Sequence, residues 1–148
     1  MNGVYRFIST VFFIGYFPKI PGTFASIFAL FLWWIKPSSS ILMDILLILI
    51  LAIIGIITSD KTAKYLNLKD PSIIVIDEIV GMWLSLFLIP KTIILFIMAF
   101  IIFRILDIWK PLWINTCQEL SGGIGIMMDD IVAGIITCIF IHLSILIL

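Results

Sequence analysis

The stretch SGGIGIMMDDIVAG, Ser121 to Gly134, sets the fold and the chemistry of this chain. Two glycines open it, Gly125 follows, and an apolar turn of Ile126, Met127 and Met128 comes next. Asp129 and Asp130 then stand side by side at the mouth of Ile131 to Leu148, a run with no charged residue. Adjacent carboxylates repel, and each is costly to dehydrate beside so much apolar sequence. Something cationic has to offset them. A divalent metal carrying a phosphate fits the acids, and it fits the glycines, whose backbone N–H groups can approach an anion closely. The glycines alone are weak support. They are not a nucleotide P-loop, because no Gly-Lys-Ser/Thr follows.

The wider chain agrees with a membrane setting. Its 148 residues are 63% hydrophobic and 12% charged, with mean hydropathy +1.30, where soluble domains run at roughly 45–50% and 25%. The expected fold is all-α: one domain over residues 1–148, a compact multi-helix membrane bundle of about five apolar helices. The first runs from Gly22 to about Ile35, with Thr23 or Ser26 as its cap, and is short for a full span. The second covers about Ile41 to Thr58, the third runs from a Ser72 cap to Ile89, the fourth covers about Thr92 to Trp109, and the fifth closes the chain. Residues 1–20 read as an interfacial segment broken by Pro18, with Pro21 just after it. Residues 59–72 read as a polar loop and 110–128 as a long connection. Arg6 precedes an apolar stretch that lacks a small-x-small cleavage site, so the N-terminus reads as mature protein.

Composition also excludes. Formal net charge is zero, which gives no electrostatic basis for binding nucleic acid. Cys117 and Cys138 suggest neither a disulfide framework nor a zinc site. The positions six beyond them are Gly123 and Ser144, so a cysteine phosphatase loop with its arginine is missing. No Asp-x-Asp pair occurs for an aspartyl-phosphate enzyme. The lone His142 lies deep in the last helix, where packing is its simplest role.

If all five helices cross, Arg6, Lys19, Lys61, Lys64, Lys69 and Lys110 share one side, and only Lys36 and Lys91 fall on the other. The bias places the first side in the cytoplasm. Thr23, Asp60, Asp77, Glu78, Arg104, Asp107, Asp129 and Asp130 then all fall at cytoplasmic helix ends. A single polar site at one interface is the simplest arrangement. Asp77 and Glu78 point about 100° apart on their helix, so only one can face the site squarely. Arg104, Asp107 and Lys110 share one helical face, either as an ion-pair ladder or as a metal-binding acid flanked by two phosphate-binding cations. Oxygen-rich ligands of this kind suit Mg2+.

These motifs resemble the phosphatidylglycerophosphatase A family. The matching stretches, in the family's order, are PGTFAS (21–26), TAK (62–64), SIIVIDEIVGMW (72–83), FRILDIWKP (103–111) and GGIGIMMDDIVAG (122–134). One departure is Trp113, where the family usually carries proline. The resemblance implies a Mg2+-dependent phosphatase of the bacterial inner (cytoplasmic) membrane. It would be multi-pass, with its site on the cytoplasmic side, converting phosphatidylglycerophosphate to phosphatidylglycerol and phosphate. The family's motifs carry over to Asp77, Glu78, Arg104, Asp107, Lys110, Asp129 and Asp130, without assigning a role to each. The expected assignment takes Asp77, Glu78, Asp129 and Asp130 as catalytic and Glu78, Asp107, Asp129 and Asp130 as metal ligands. Thr23, Ser26, Arg104 and Lys110 are the expected substrate contacts. The competing readings are a small ion- or proton-coupled transporter, which should carry its acids near mid-membrane, and a non-catalytic subunit of a membrane complex. Oligomeric state is not legible in the sequence.

Overall fold

The computed structural model describes residues 3–111 and 120–147. These form six α-helices and no strand: α1 (Gly3–Ser9), α2 (Pro21–Ile35), α3 (Ile41–Leu66), α4 (Ile76–Ser85), α5 (Ile93–Trp109) and α6 (Gly123–Ile147). With 26 and 25 residues, α3 and α6 are long and apolar enough to cross a membrane. At 15 and ten residues, α2 and α4 fall short of the roughly 20 that a span needs. The expected set of about five apolar helices thus resolves into two long ones, three shorter ones and a small N-terminal helix. Trp113 and Cys117 lie outside the described residues.

Several boundaries differ from the sequence reading. The tract from Ser59 is not a loop, because α3 continues through it to Leu66. One face of this turn, Thr58, Ser59, Thr62 and Ala63, is buried. The other carries an Asp60–Lys64 ion pair of 2.8 Å at i,i+4 spacing. A left-handed Asn67 (φ 53°) ends the helix. Ser72 does not cap α4, whose N-cap position is Val75. Neither Thr23 nor Ser26 caps α2: Ile20 holds that position without a side-chain bond, and Pro21 fills the first turn, where a missing N–H costs nothing. Thr92 does cap α5, accepting from the Leu95 N–H at 3.4 Å.

Of the glycines before Asp129, Gly123 and Gly125 belong to α6, which starts at Gly123, and Gly122 stands in the preceding turn with φ 67°. The use of Gly123 here is close packing. A side chain at Gly123 would overlap the Ile56 carbonyl of α3. The same device sets the central crossing. Surrounded by α2, α3, α5 and α6, α4 buries seven of its ten residues. A side chain at Gly134 of α6 would overlap the Gly81 carbonyl, and a Cβ at Gly81 would lie 2.7 Å from the Asp130 carbonyl oxygen. Backbone contact at this crossing brings the first turn of α4 beside the second turn of α6.

Polar residues collect at the two ends of the bundle. At one end Lys36 pairs with Asp44 at 2.7 Å, and Lys91 donates to the carbonyls of Trp34 and Lys36. The other end carries the acids. His142 meets the Cys138 carbonyl of its own helix at 2.8 Å, in keeping with a packing role.

Candidate active site

Four helices bring charged residues to the acidic end. Asp77 and Glu78 occupy the first turn of α4, and Asp129 and Asp130 the second turn of α6. Arg104 and Asp107 stand in the last turns of α5, and Lys110 follows as its left-handed C-cap (φ 40°). The start of α2 supplies Gly22 and Ser26, both buried, and the half-buried Thr23.

Asp77, Glu78 and Asp130 each place one carboxylate oxygen within 4.8 Å of the others. Asp77 is in hydrogen-bonding range of Glu78, and Asp130 of Asp107. Yet Asp77 Oδ1, Glu78 Oε2 and Asp130 Oδ2 are buried with no hydrogen-bond partner among the described residues. Orphaned buried acceptors are rare in folded proteins, and crowded carboxylates cannot all ionise without a counter-charge. A hard divalent cation with oxygen ligands answers both conditions. Among the described residues no thiol or imidazole joins the group, so zinc is a poorer fit.

The cations flank this group. Arg104 Nη1 lies 2.6 Å from Asp107 Oδ2 and 4.0 Å from Glu78 Oε1, and it donates to Ser26 Oγ at 3.5 Å. Ser26 in turn donates to the Gly22 carbonyl at 2.9 Å. Arg104 Nε has no partner among the described residues and keeps a donor for an anion. Lys110 Nζ reaches Asp129 Oδ2 at 2.6 Å. Burial alone would lower the Lys110 ammonium. The Asp129 hydrogen bond and the charges of Asp129, Asp107 and Asp130 outweigh it and hold lysine above its usual range. Asp129, expected among the metal ligands, pairs with Lys110 through Oδ2, and Asp77 joins Glu78 and Asp130 in the carboxylate group.

Two neighbours escaped the sequence reading. Gly22 matters through what it lacks: an added Cβ would overlap the Glu78 carboxylate and lie 3.3 Å from Arg104 Nη1. Its signal was available in the spacing of Gly22, Ala25, Ser26 and Ala29, a small-residue stripe on one face of α2. Asp70, in the loop before α4, feels the site. Although its surface is exposed, partial desolvation by the surrounding chain, then the charge of Asp129, push its carboxyl above the usual range.

An apolar helical bundle that gathers carboxylates for a hard cation beside two cations for a phosphate has the make-up of a lipid-phosphate hydrolase. The chain belongs to the phosphatidylglycerophosphatase A family, whose model matches residues 7–145. It is therefore a phosphoric monoester hydrolase, a phosphatidylglycerophosphatase of phospholipid biosynthesis. It is 36% identical to the phosphatidylglycerophosphatase A of Escherichia coli (strain K12), over 93% of this chain and 81% of that one. A Bacteroides thetaiotaomicron protein provisionally described as a phosphatidylinositol-3-phosphatase is 34% identical, over 93% of this chain and 91% of its own. The phosphatidylglycerophosphatase A of Haemophilus influenzae is 37% identical over 60% of this chain and 56% of its own. No solved structure matches.

Proposed function

We propose that the enzyme is Mg2+-dependent and multi-pass, with its site at the cytoplasmic face of a bacterial inner membrane. We also propose that Asp77, Glu78 and Asp130, with Asp107 beside them, hold the ion. The observation that carries this reading is the trio of buried, partnerless oxygens on Asp77, Glu78 and Asp130. When bound, Mg2+ supplies positive charge for the phosphoryl oxygens and makes water more acidic.

The chain's own groups do the rest. Arg104, with its spare Nε–H, and Lys110 take phosphate oxygens. Thr23 and the free N–H groups of the first turn of α2 add donors, and Ser26 supports the site by accepting from Arg104. Asp129 orients Lys110. A carboxylate oxygen of the Asp77–Glu78 pair that is not engaged with the ion takes a proton from the attacking water. That water bonds to phosphorus as the bond from phosphorus to the glycerol oxygen breaks, and the leaving oxygen gains a proton. Fixed charges around the transferring group should dominate the rate.

A transport role is disfavoured by acids that cluster at helix ends, and a purely structural subunit has no use for partnerless buried oxygens. The positive residues of the α3 exit and of the segment before α4, Lys61, Lys64 and Lys69, support a cytoplasmic site. Phosphate release by the purified protein in detergent micelles tests the reading, with phosphatidylglycerophosphate and phosphatidylinositol 3-phosphate as parallel substrates. Faster turnover of the former, stopped by EDTA and restored by Mg2+, is expected. Release that ignores EDTA would remove the metal from the mechanism.

A further inference from the structure

Beside the carboxylates, on the side of α4 that faces the N-terminal segment, lies an apolar cavity of about 170 Å3. Its floor is Ile76, Ile79 and Trp83, at i, i+3 and i+7 on one face of α4 and all buried. Phe28 and Leu32 of α2 and Leu51 of α3 form its sides. Every one of these helices carries the lining residues away from the polar end. Leu32 lies ten residues beyond Gly22, a rise of about 15 Å, and Trp83 lies six beyond Asp77, about 9 Å. The lining therefore starts at Ile76, next to Asp77 in the chain, and extends away from the polar end, the direction in which a lipid's tails leave its head group. Trp83 closes the deep end, fixed by its N–H bond of 3.0 Å to the Ala29 carbonyl.

The remaining wall is a built feature. Phe7, Val11 and Phe12 supply it. Val11, Phe12 and Phe13 are all left-handed (φ 47°, 55° and 70°), a conformation that costs each of these bulky residues free energy. Contacts to α3 and to the loop before α4 hold the segment there. Ser9 Oγ lies 3.0 Å from Thr62 Oγ1, the Val75 N–H donates to the Ser9 carbonyl at 2.9 Å, and Gly15 sits so tightly that a side chain would overlap the Ile73 carbonyl. Apolar grooves that simply face lipid need no such wall. The groove across α4 lined by Ala52, Val80 and Ile131 has none.

We infer that this cavity receives one acyl chain of the substrate and positions its head group over Asp77 and Glu78. The inference rests on the phosphatidylglycerophosphatase reading. Leu32→Trp and Leu51→Phe each fill the cavity from a different helix, and Ala52→Phe adds the same kind of bulk to the opposite groove. The measurement is the ratio of KM values for dioleoyl and dihexanoyl phosphatidylglycerophosphate. Both filling substitutions should raise it about tenfold, the loss of contact with roughly two methylenes, and Ala52→Phe should leave it at the wild-type value. An unchanged ratio in the two filling variants, or a rise confined to Ala52→Phe, overturns the inference. A second arm needs no variant. A phosphatidylglycerophosphate bearing a photoreactive diazirine on one acyl chain should label the wild-type protein at cavity residues, and labelling confined to the Ala52 groove also overturns it. Wild-type protein that hydrolyses neither chain length would instead sink the substrate reading.

Discussion

Gly22→Ala tests the active-site geometry with the smallest possible change. The added methyl would overlap Glu78 Oε1, lie 3.0 Å from Glu78 Cδ and stand 3.3 Å from Arg104 Nη1. Ordinary van der Waals contact begins at 3.4 Å, so the carboxylate oxygen must retreat by about 1 to 1.4 Å. It has little room to do so. The Glu78 side chain is 14% exposed, and Arg104 already spans Glu78, Asp107 and Ser26. A shift of about 1 Å in a catalytic group costs on the order of 100-fold in rate. Alanine in place of helical glycine adds up to about 1 kcal/mol of helix propensity, which offsets part of the local strain. The variant should therefore fold, insert and unfold near the wild-type temperature while kcat falls about 100-fold. Phosphate release from phosphatidylglycerophosphate micelles gives kcat, and thermal unfolding in the same detergent checks the fold. Activity within about threefold of wild type would refute the placement of Glu78 in the working site.

Four other substitutions separate chemistry from packing. Asp130→Asn removes one of three crowded carboxylates: kcat should drop by roughly 10²–10³-fold, while the unfolding temperature measured in EDTA rises, the signature of a site that trades stability for function. Lys110→Met leaves Asp129, whose side chain is 5% exposed, without its ammonium, and should destabilise the protein by roughly 3 kcal/mol. Adding Asp129→Asn should restore the unfolding temperature but not phosphate release. Gly81→Ala puts a methyl 2.7 Å from both the Asp130 carbonyl oxygen and the Phe103 ring. Spreading α4 from α6 should lower the unfolding midpoint by the equivalent of roughly 1–3 kcal/mol, and activity should fall with it.

The acids were legible because charge is conspicuous in apolar sequence. Asp77, Glu78, Arg104, Asp107, Lys110 and Asp130 could be assigned to one end of the bundle from helix order alone, and the structure brings them together there. What could not be read was how each polar or small residue is used. Ser59 to Lys64 looked like a loop because it is polar, but an amphipathic turn of α3 satisfies it. Gly123 and Gly125 looked like part of an anion-binding loop, but both lie in α6, where Gly123 allows the helix to lie on α3. Such roles depend on which helix packs opposite, and that is a property of tertiary structure. Asp129 and Asp130 show the same limit: adjacent in sequence, one faces Lys110 and the other faces Asp77 and Glu78. The left-handed turn at Val11 to Phe13 had no sequence signal, since none of the three residues favours that conformation.

The central claim is that the Asp77–Glu78–Asp130 cluster holds the divalent ion that hydrolysis requires. Mn2+ serves as a paramagnetic stand-in for Mg2+, and its binding to the purified protein can be titrated by electron paramagnetic resonance without any turnover. Saturable binding that Mg2+ displaces, and that Asp130→Asn abolishes, is the predicted result. Equal Mn2+ binding by the wild-type protein and Asp130→Asn would contradict it.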